Sequence, residues 1–162
     1  EDAIQGDYRQ NLATSCGDFI VHRRDGQIAY HLAVVVDDAA AGISEIVRGV
    51  DLLDSTPRQM HLQRLLGLPR PRYAHMPTVL DEQGNKLSKQ TGADAVLPAS
   101  ASSALYHALC FLNLPPPNDM HGAAPEELLS WALPRWRLDI AGSTPRAYVW
   151  PQAAANIARN SA

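Results

Sequence analysis

A chain of 162 residues is long enough for one domain with a real core, or for one small domain plus a subdomain. Its 46% hydrophobic and 19% charged content excludes wholesale disorder, and a net charge of −3 excludes a globally basic nucleic-acid binder, so any RNA must be met by a local patch. The two cysteines, Cys16 and Cys110, form no CxxC pair, and no stretch approaches about 18 consecutive apolar residues. A disulfide scaffold, a zinc site built within this chain and a membrane-spanning helix are thereby disfavoured, and a reducing, cytoplasmic setting without a membrane partner is expected.

In chain order, the opening "EDAIQGDYRQ" shows neither an initiator methionine nor a structural start, and is expected to enter in mid-protein. "DFIVHRRDGQIAYHLAVVVDD" predicts β structure, with Asp25-Gly26 as a hairpin turn. The apolar run "HLAVVVDD" predicts a strand covered on both faces and ending at Asp37-Asp38. "ISEIVRG" predicts a second strand closed by Gly49. "DSTPRQMHLQRLLG" carries helix signals: Ser55 or Thr56 as cap, Pro57 in the first turn, and Gly67 at the end. "AHMPTVL" predicts another strand, confined to an edge or end by Pro77.

After Pro98 the character changes. "SASSALYHALCFLNL" has helical spacing with serines available as caps, and Cys110 within it is expected to be a buried core thiol. "PEELLSWAL" predicts a second helix, with Pro125 and two glutamates at the positive end of its dipole, and a third short helix is expected from Pro151 to Ala158. The expected architecture is an α/β piece over 1–98 followed by a small helical piece over 99–162.

Both lysines of the chain, Lys86 and Lys89, stand three apart in the glycine-bounded stretch "GNKLSKQTG", whereas the other twelve basic residues are arginine. Arginine suits flat, bidentate pairing, and lysine is a compact charge on a flexible stem, suited to following a moving phosphate. From Ser55 to Leu80 there is no acidic residue, but there are Arg58, Arg64, Arg70 and Arg72 with His61 and His75 beside them, a candidate RNA-facing patch or simply a solvated face. Tyr30 at the start of the first buried run and Arg48 at the end of the next strand open toward the same sheet edge if the strands are neighbours. Arg48 could read a carboxylate, or could pair structurally with Asp37, Asp38 or Asp51. His22, His31 and His61 lack a nearby nucleophile or metal-ligand spacing and are assigned to structure.

Taken together, "AYHLAVVVDDAAAGISEIVRGVDLLDSTPRQ" followed by "HMPTVLDEQGNKLSKQ" resembles the second half of the catalytic domain of glutamate-specific class I aminoacyl-tRNA synthetases, over about residues 18 to 92. The resemblance implies the second half of a Rossmann-type fold, with Lys86, Leu87, Ser88, Lys89 and Gln90 as the mobile KMSKS-type loop. It further implies Tyr30 and Arg48 as contacts to L-glutamate, Lys89 as the residue steadying the ATP phosphates, and Thr78 and Val79 as backbone lying against adenine. ATP with Mg2+ is the implied cofactor. Val34 stands where such synthetases usually carry asparagine, and only about seventy residues follow "KLSKQ".

Both departures resemble the family's short glutamyl-queuosine tRNA(Asp) paralogues, which attach glutamate to the queuosine base of tRNA(Asp), and a monomer is expected. A HIGH-type motif and the family's cysteine-bearing zinc segment do not occur in these residues, so no zinc is expected here and a preceding half is the one place left for it. The fragment alone is expected to be inactive. The rival expectations are a truncated glutamyl-tRNA synthetase charging tRNA 3′ ends, and a non-catalytic RNA-binding module.

Overall fold

The computed structural model describes residues 1–80, 86 and 98–142. The chain divides into two compact units, Glu1–Met76 and Pro77–Ala162. In the first unit, a short helix α1 (Leu12–Ser15) precedes α2 (Tyr30–Ala40), β1 (Glu45–Gly49), α3 (Thr56–Leu66) and β2 (Arg72–Met76). The two strands pair in parallel, with Glu45 opposite Arg72, Arg48 opposite His75 and Gly49 opposite Met76. Parallel neighbours need a crossover, supplied here by a 3-10 turn over Val50–Ser55 and then α3.

Each end of α3 has a local cause. Pro57 sits in its first turn, and Gly67 stops it in the left-handed conformation at φ 64°. The Leu68 N–H then returns to the Gln63 carbonyl at 2.9 Å. β2 stops at Met76 because Pro77 has no N–H to continue a ladder.

The run "HLAVVVDD" departs from the expected strand: it lies in the helix α2. A strand covered on both faces would bury Val34, Val35 and Val36 alike, but only Val35 is buried and Val36 is 44% exposed. A continuous apolar run does not by itself distinguish strand from helix, and here the longer element containing Ala33, Ala39 and Ala40 prevails over the β preference of the valines. Asp37 and Asp38 therefore stand in the last turns of a helix. The turn at Asp25-Gly26 does form: the Arg23 N–H donates to the Gln27 carbonyl at 2.8 Å and Gly26 takes φ 81°. Its flanks pair only through the single bridge His22–Ile28.

In the second unit, α4 (Ala101–Phe111) and α5 (Pro125–Ala132) pack around Leu128, which is 0% exposed, with Tyr106, Leu109, Leu114 and Ala132. Tyr106 Oη donates to the Pro116 carbonyl at 3.2 Å, so the buried ring keeps its polar end satisfied. Cys110 is half-buried against this core, and burial pushes its thiol up. The stretch 151–158 lies outside the described residues.

Leu128→Ala should lower stability by about 2–5 kcal/mol through loss of burial and the cavity left behind. A Cβ at Gly67 would meet nothing within 4 Å, so Gly67→Ala tests conformation alone and should cost about 1 kcal/mol. Urea unfolding of the two variants checks both magnitudes.

Candidate substrate-binding site

The parallel register sets the site. Arg48 and His75 are direct partners across the sheet, so their side chains share one face, which also carries Tyr73 two residues earlier. Arg48 Nε donates to His75 Nε2 at 3.0 Å, and its Nη2 donates to Thr56 Oγ1 at 2.9 Å, to Gln59 Oε1 at 2.8 Å and to the Leu52 carbonyl at 3.5 Å. The guanidinium carbon lies 5.6 Å from the Tyr73 ring centroid. Nη1 makes none of these hydrogen bonds. Every hydrogen-bond partner of Arg48 is neutral, and no carboxylate pairs with it among the described residues, so the structural alternative of a pair with Asp37, Asp38 or Asp51 is not what holds it.

His75 is 0% exposed and is held from behind by Asp2. Asp2 Oδ1 accepts the N–H groups of Ile4 at 3.0 Å, Gln5 at 2.9 Å and His75 at 3.1 Å, and Oδ2 stands 2.6 Å from His75 Nδ1. Because Arg48 Nε–H can only donate, His75 Nε2 must accept, and the imidazole proton belongs on Nδ1 facing the carboxylate. Burial pushes the Asp2 carboxyl up, but the bonds from Gln5, from the His75 ring and backbone, and from Ile4 outweigh it and leave the group below the usual aspartate range.

Tyr30 is the first residue of α2 and is 54% exposed. No hydrogen bond or ring contact joins it to Arg48. Its ring packs instead beside that of His31, with centroids 5.7 Å apart. Burial, then the charges of Arg58 and Arg48, push the His31 imidazole down. Its Nδ1 is buried without a hydrogen-bond partner. A cavity of about 590 Å3 shares Asp2, Thr56 and Tyr73 with this network, but neither Arg48 nor Tyr30 lines it.

In the second unit, Thr78 and Val79 precede an isolated antiparallel bridge between Leu80 and Lys86. Leu87, Ser88, Lys89 and Gln90 lie outside the described residues. The basic stretch is smaller than its composition suggests. His75 is interior, Arg72 pairs with Glu45, and Arg58 Nε contacts Cys16 Sγ at 3.3 Å.

Sequence reading missed Asp2, His75 and Gln59 as members of the site. The only available signal was the Arg48–His75 register, which follows once both strands are placed and paired in parallel. The link from Asp2 to His75 spans 73 positions and has no local signature.

The family model described as "tRNA synthetases class I (E and Q), catalytic domain" matches residues 1–106, and so spans β1, α3 and β2 with Arg48 and His75. The chain belongs to that family. It is 53% identical over 144 residues to the glutamyl-Q tRNA(Asp) synthetase of Thiobacillus denitrificans, covering 89% of this chain and 48% of that protein. With the protein of the same name from Aromatoleum aromaticum it is 54% identical over 137 residues, 85% of this chain and 44% of that one. The expected resemblance to the short glutamyl-queuosine paralogues is thus borne out, and the chain spans about half the length of the curated relatives it matches.

Among solved structures, the glutamate-tRNA synthetase of Elizabethkingia anophelis is similar at TM-score 0.50 and 33% identity, over 56% of this chain and 18% of that one. A glutamate tRNA ligase from Elizabethkingia meningosepticum, in complex with its amino acid, matches with the same values. This class I synthetase catalytic piece mixes helix and strand. Among the described residues no group of three or more His, Cys, Asp or Glu could hold a metal ion, and no helix is long and apolar enough to cross a membrane.

Because the Asp2 carboxyl is depressed in the folded state, its contribution to stability is complete above the unfolded aspartate value of about 3.9 and is lost as pH falls through the lower folded value. Unfolding free energy should therefore drop on acidification below about pH 4. Asp2→Asn should flatten that drop, as followed by urea titrations at stepped pH.

Proposed function

We propose that this chain is the C-terminal half of an ATP-dependent ligase that activates L-glutamate as its adenylate and transfers it to the queuosine base of tRNA(Asp). The observation that carries the glutamate part is Arg48: a guanidinium fixed by neutral acceptors, with no carboxylate partner and Nη1 uncommitted among the described residues. Such a group is prepared for an anion brought by a ligand. The names of the relatives, and their identity over most of this chain, favour glutamate as that anion and tRNA(Asp) as the acceptor.

The chemistry assigns the two carboxylates of glutamate different tasks. The α-carboxylate oxygen attacks the α-phosphorus of ATP, forming the mixed anhydride as the bond to pyrophosphate breaks. A carboxylate clamped by arginine would be a poorer nucleophile, so Arg48 reads the side-chain carboxylate, the group that separates glutamate from glutamine. Tyr30 borders the same substrate through its hydroxyl. Lys89, with Lys86 beside it, follows the charge developing on the phosphates, Leu87, Ser88 and Gln90 complete that loop, and the Thr78–Val79 backbone lies against adenine. ATP brings Mg2+ on its phosphates, and these residues supply charge and position.

In this reading residues 1–98 complete a Rossmann-type catalytic domain with a preceding half, residues 99–162 form a helical subdomain that meets RNA, and Arg64 and Arg70 are the cations left to the basic stretch for the same partner. The protein acts as a cytoplasmic monomer.

The test is glutamate-dependent ATP–pyrophosphate exchange by the longest gene product containing this chain, without tRNA. Exchange supports the queuosine-modifying reading, exchange only after tRNA addition favours a glutamyl-tRNA synthetase, and none under either condition favours a non-catalytic RNA-binding module. Arg48→Ala should reduce exchange at subsaturating glutamate by at least about a hundredfold, and unchanged rates would remove the carboxylate assignment. Lys89→Ala should lower kcat for adenylation more than it raises the KM for glutamate, as measured by initial rates.

A further inference from the structure

We propose that Asp2 and His75 are positioning residues for the anion-reading arginine, acting through the tautomer of the His75 imidazole. This deepens the glutamate reading above and rests on it for its functional consequence. The relay itself rests on geometry alone.

The chain of bonds has one consistent proton arrangement. Asp2 Oδ1 accepts three N–H groups, from Ile4, Gln5 and His75, and Oδ2 accepts from His75 Nδ1. With its proton on Nδ1, His75 presents a bare Nε2 to Arg48 Nε–H. The Thr56 hydroxyl, 3.1 Å from the same Nε2, accepts from Arg48 Nη2. Gln59, 1% exposed, accepts from that Nη2 as well. Nε and Nη2 of the guanidinium are thereby committed to the protein, and Nη1, without a hydrogen bond among the described residues, is left for a ligand. The negative charge of Asp2 reaches Arg48 only across the width of an imidazole, so no carboxylate competes with the substrate for the guanidinium.

The arrangement has a specific weakness. Only an oxygen can accept the three N–H groups at the Oδ1 position. In Asp2→Asn the amide nitrogen must therefore take the Oδ2 position, where it is a donor facing Nδ1. The imidazole then has to carry its proton on Nε2, which opposes Arg48 Nε–H donor to donor and removes the acceptor that orients the guanidinium. A substitution that barely changes volume is thus transmitted through His75 to Arg48. In His75→Gln the amide oxygen can accept from Arg48 while the amide nitrogen donates to Asp2. His75→Leu can do neither.

Two measurements test this. Long-range 1H–15N correlation of the histidine rings in the 162-residue chain should show His75 protonated on Nδ1 at neutral pH, and on Nε2 in Asp2→Asn. Exchange kinetics of the longest gene product containing the chain should show Asp2→Asn and His75→Leu raising the KM for glutamate by about ten- to a hundredfold, with kcat changed less than about threefold and His75→Gln substantially closer to wild type. A purely structural role would reduce the folded fraction and the apparent kcat without moving the KM.

Wild-type His75 found protonated on Nε2, or on both nitrogens, would overturn the relay. Wild-type KM in Asp2→Asn and His75→Leu would overturn its role in recognition. A wild-type protein without glutamate-dependent exchange would instead overturn the functional reading, and the imidazole spectra would then decide the relay alone.

Discussion

The described part of the first unit depends on one hydrogen bond, from Arg48 Nε to His75 Nε2, made between direct partners in the parallel ladder. A half-buried guanidinium is costly to desolvate and is tolerated when its N–H groups are satisfied. Here β1 supplies the charge, β2 the imidazole, the start of α3 the hydroxyl and amide, and the N-terminal segment the carboxylate behind them. A one-residue slip of either strand would turn Arg48 or His75 to the other face of the sheet and leave these acceptors unpaired. The site and the local fold are therefore fixed by the same interaction. The helix contributes more than a crossover, since Thr56 and Gln59 lie three apart on the turn that faces the sheet.

The contrast between arginine and lysine gains a physical basis from this geometry. Arg48 uses the planar fork of its guanidinium: Nε and Nη2 point in directions that neutral acceptors of the protein can match while Nη1 stays uncommitted. A lysine there would bring one ammonium on a flexible stem and could not hold a fixed direction toward a ligand. Charge that must be held in place is thus carried by arginine. In the proposed reading, Lys86 and Lys89 use the other cation, whose flexible stem suits a moving phosphate.

What was legible in the sequence was what local chemistry decides. β1 and α3 stand where Gly49, Pro57 and Gly67 place them, and α5 starts at Pro125 with its glutamates in the first turn. Arg48 was correctly placed at the end of a strand. The reading of "HLAVVVDD" as a strand, where the helix Tyr30–Ala40 stands, has a local cause too, because consecutive valines satisfy both a doubly covered strand and a helix segment, and only the partner surfaces choose. Thr56 was legible as a helix-start residue but not as an arginine acceptor. Asp2 and His75 were illegible as a pair, since nothing in "EDAIQG" or "RYAHM" signals the other, and the pairing exists only once β2 runs beside the N-terminal segment. Placing His75 in a basic surface patch followed from composition, and its burial was set by the sheet.

In the proposed reading, the illegible pair is also what keeps a positive charge ready for a ligand. A carboxylate bound directly to Arg48 would stabilise the guanidinium, but an incoming carboxylate would then have to displace it. A bare guanidinium among apolar groups would avoid that competition at a prohibitive desolvation cost. Interposing a neutral imidazole lies between these extremes. Asp2 offsets part of the field at a distance, its own charge being secured by backbone N–H groups, while the hydrogen bonds reaching Arg48 come from groups without net charge. The arginine is thereby directed without being neutralised, which is the condition under which a substrate carboxylate gains most from binding it.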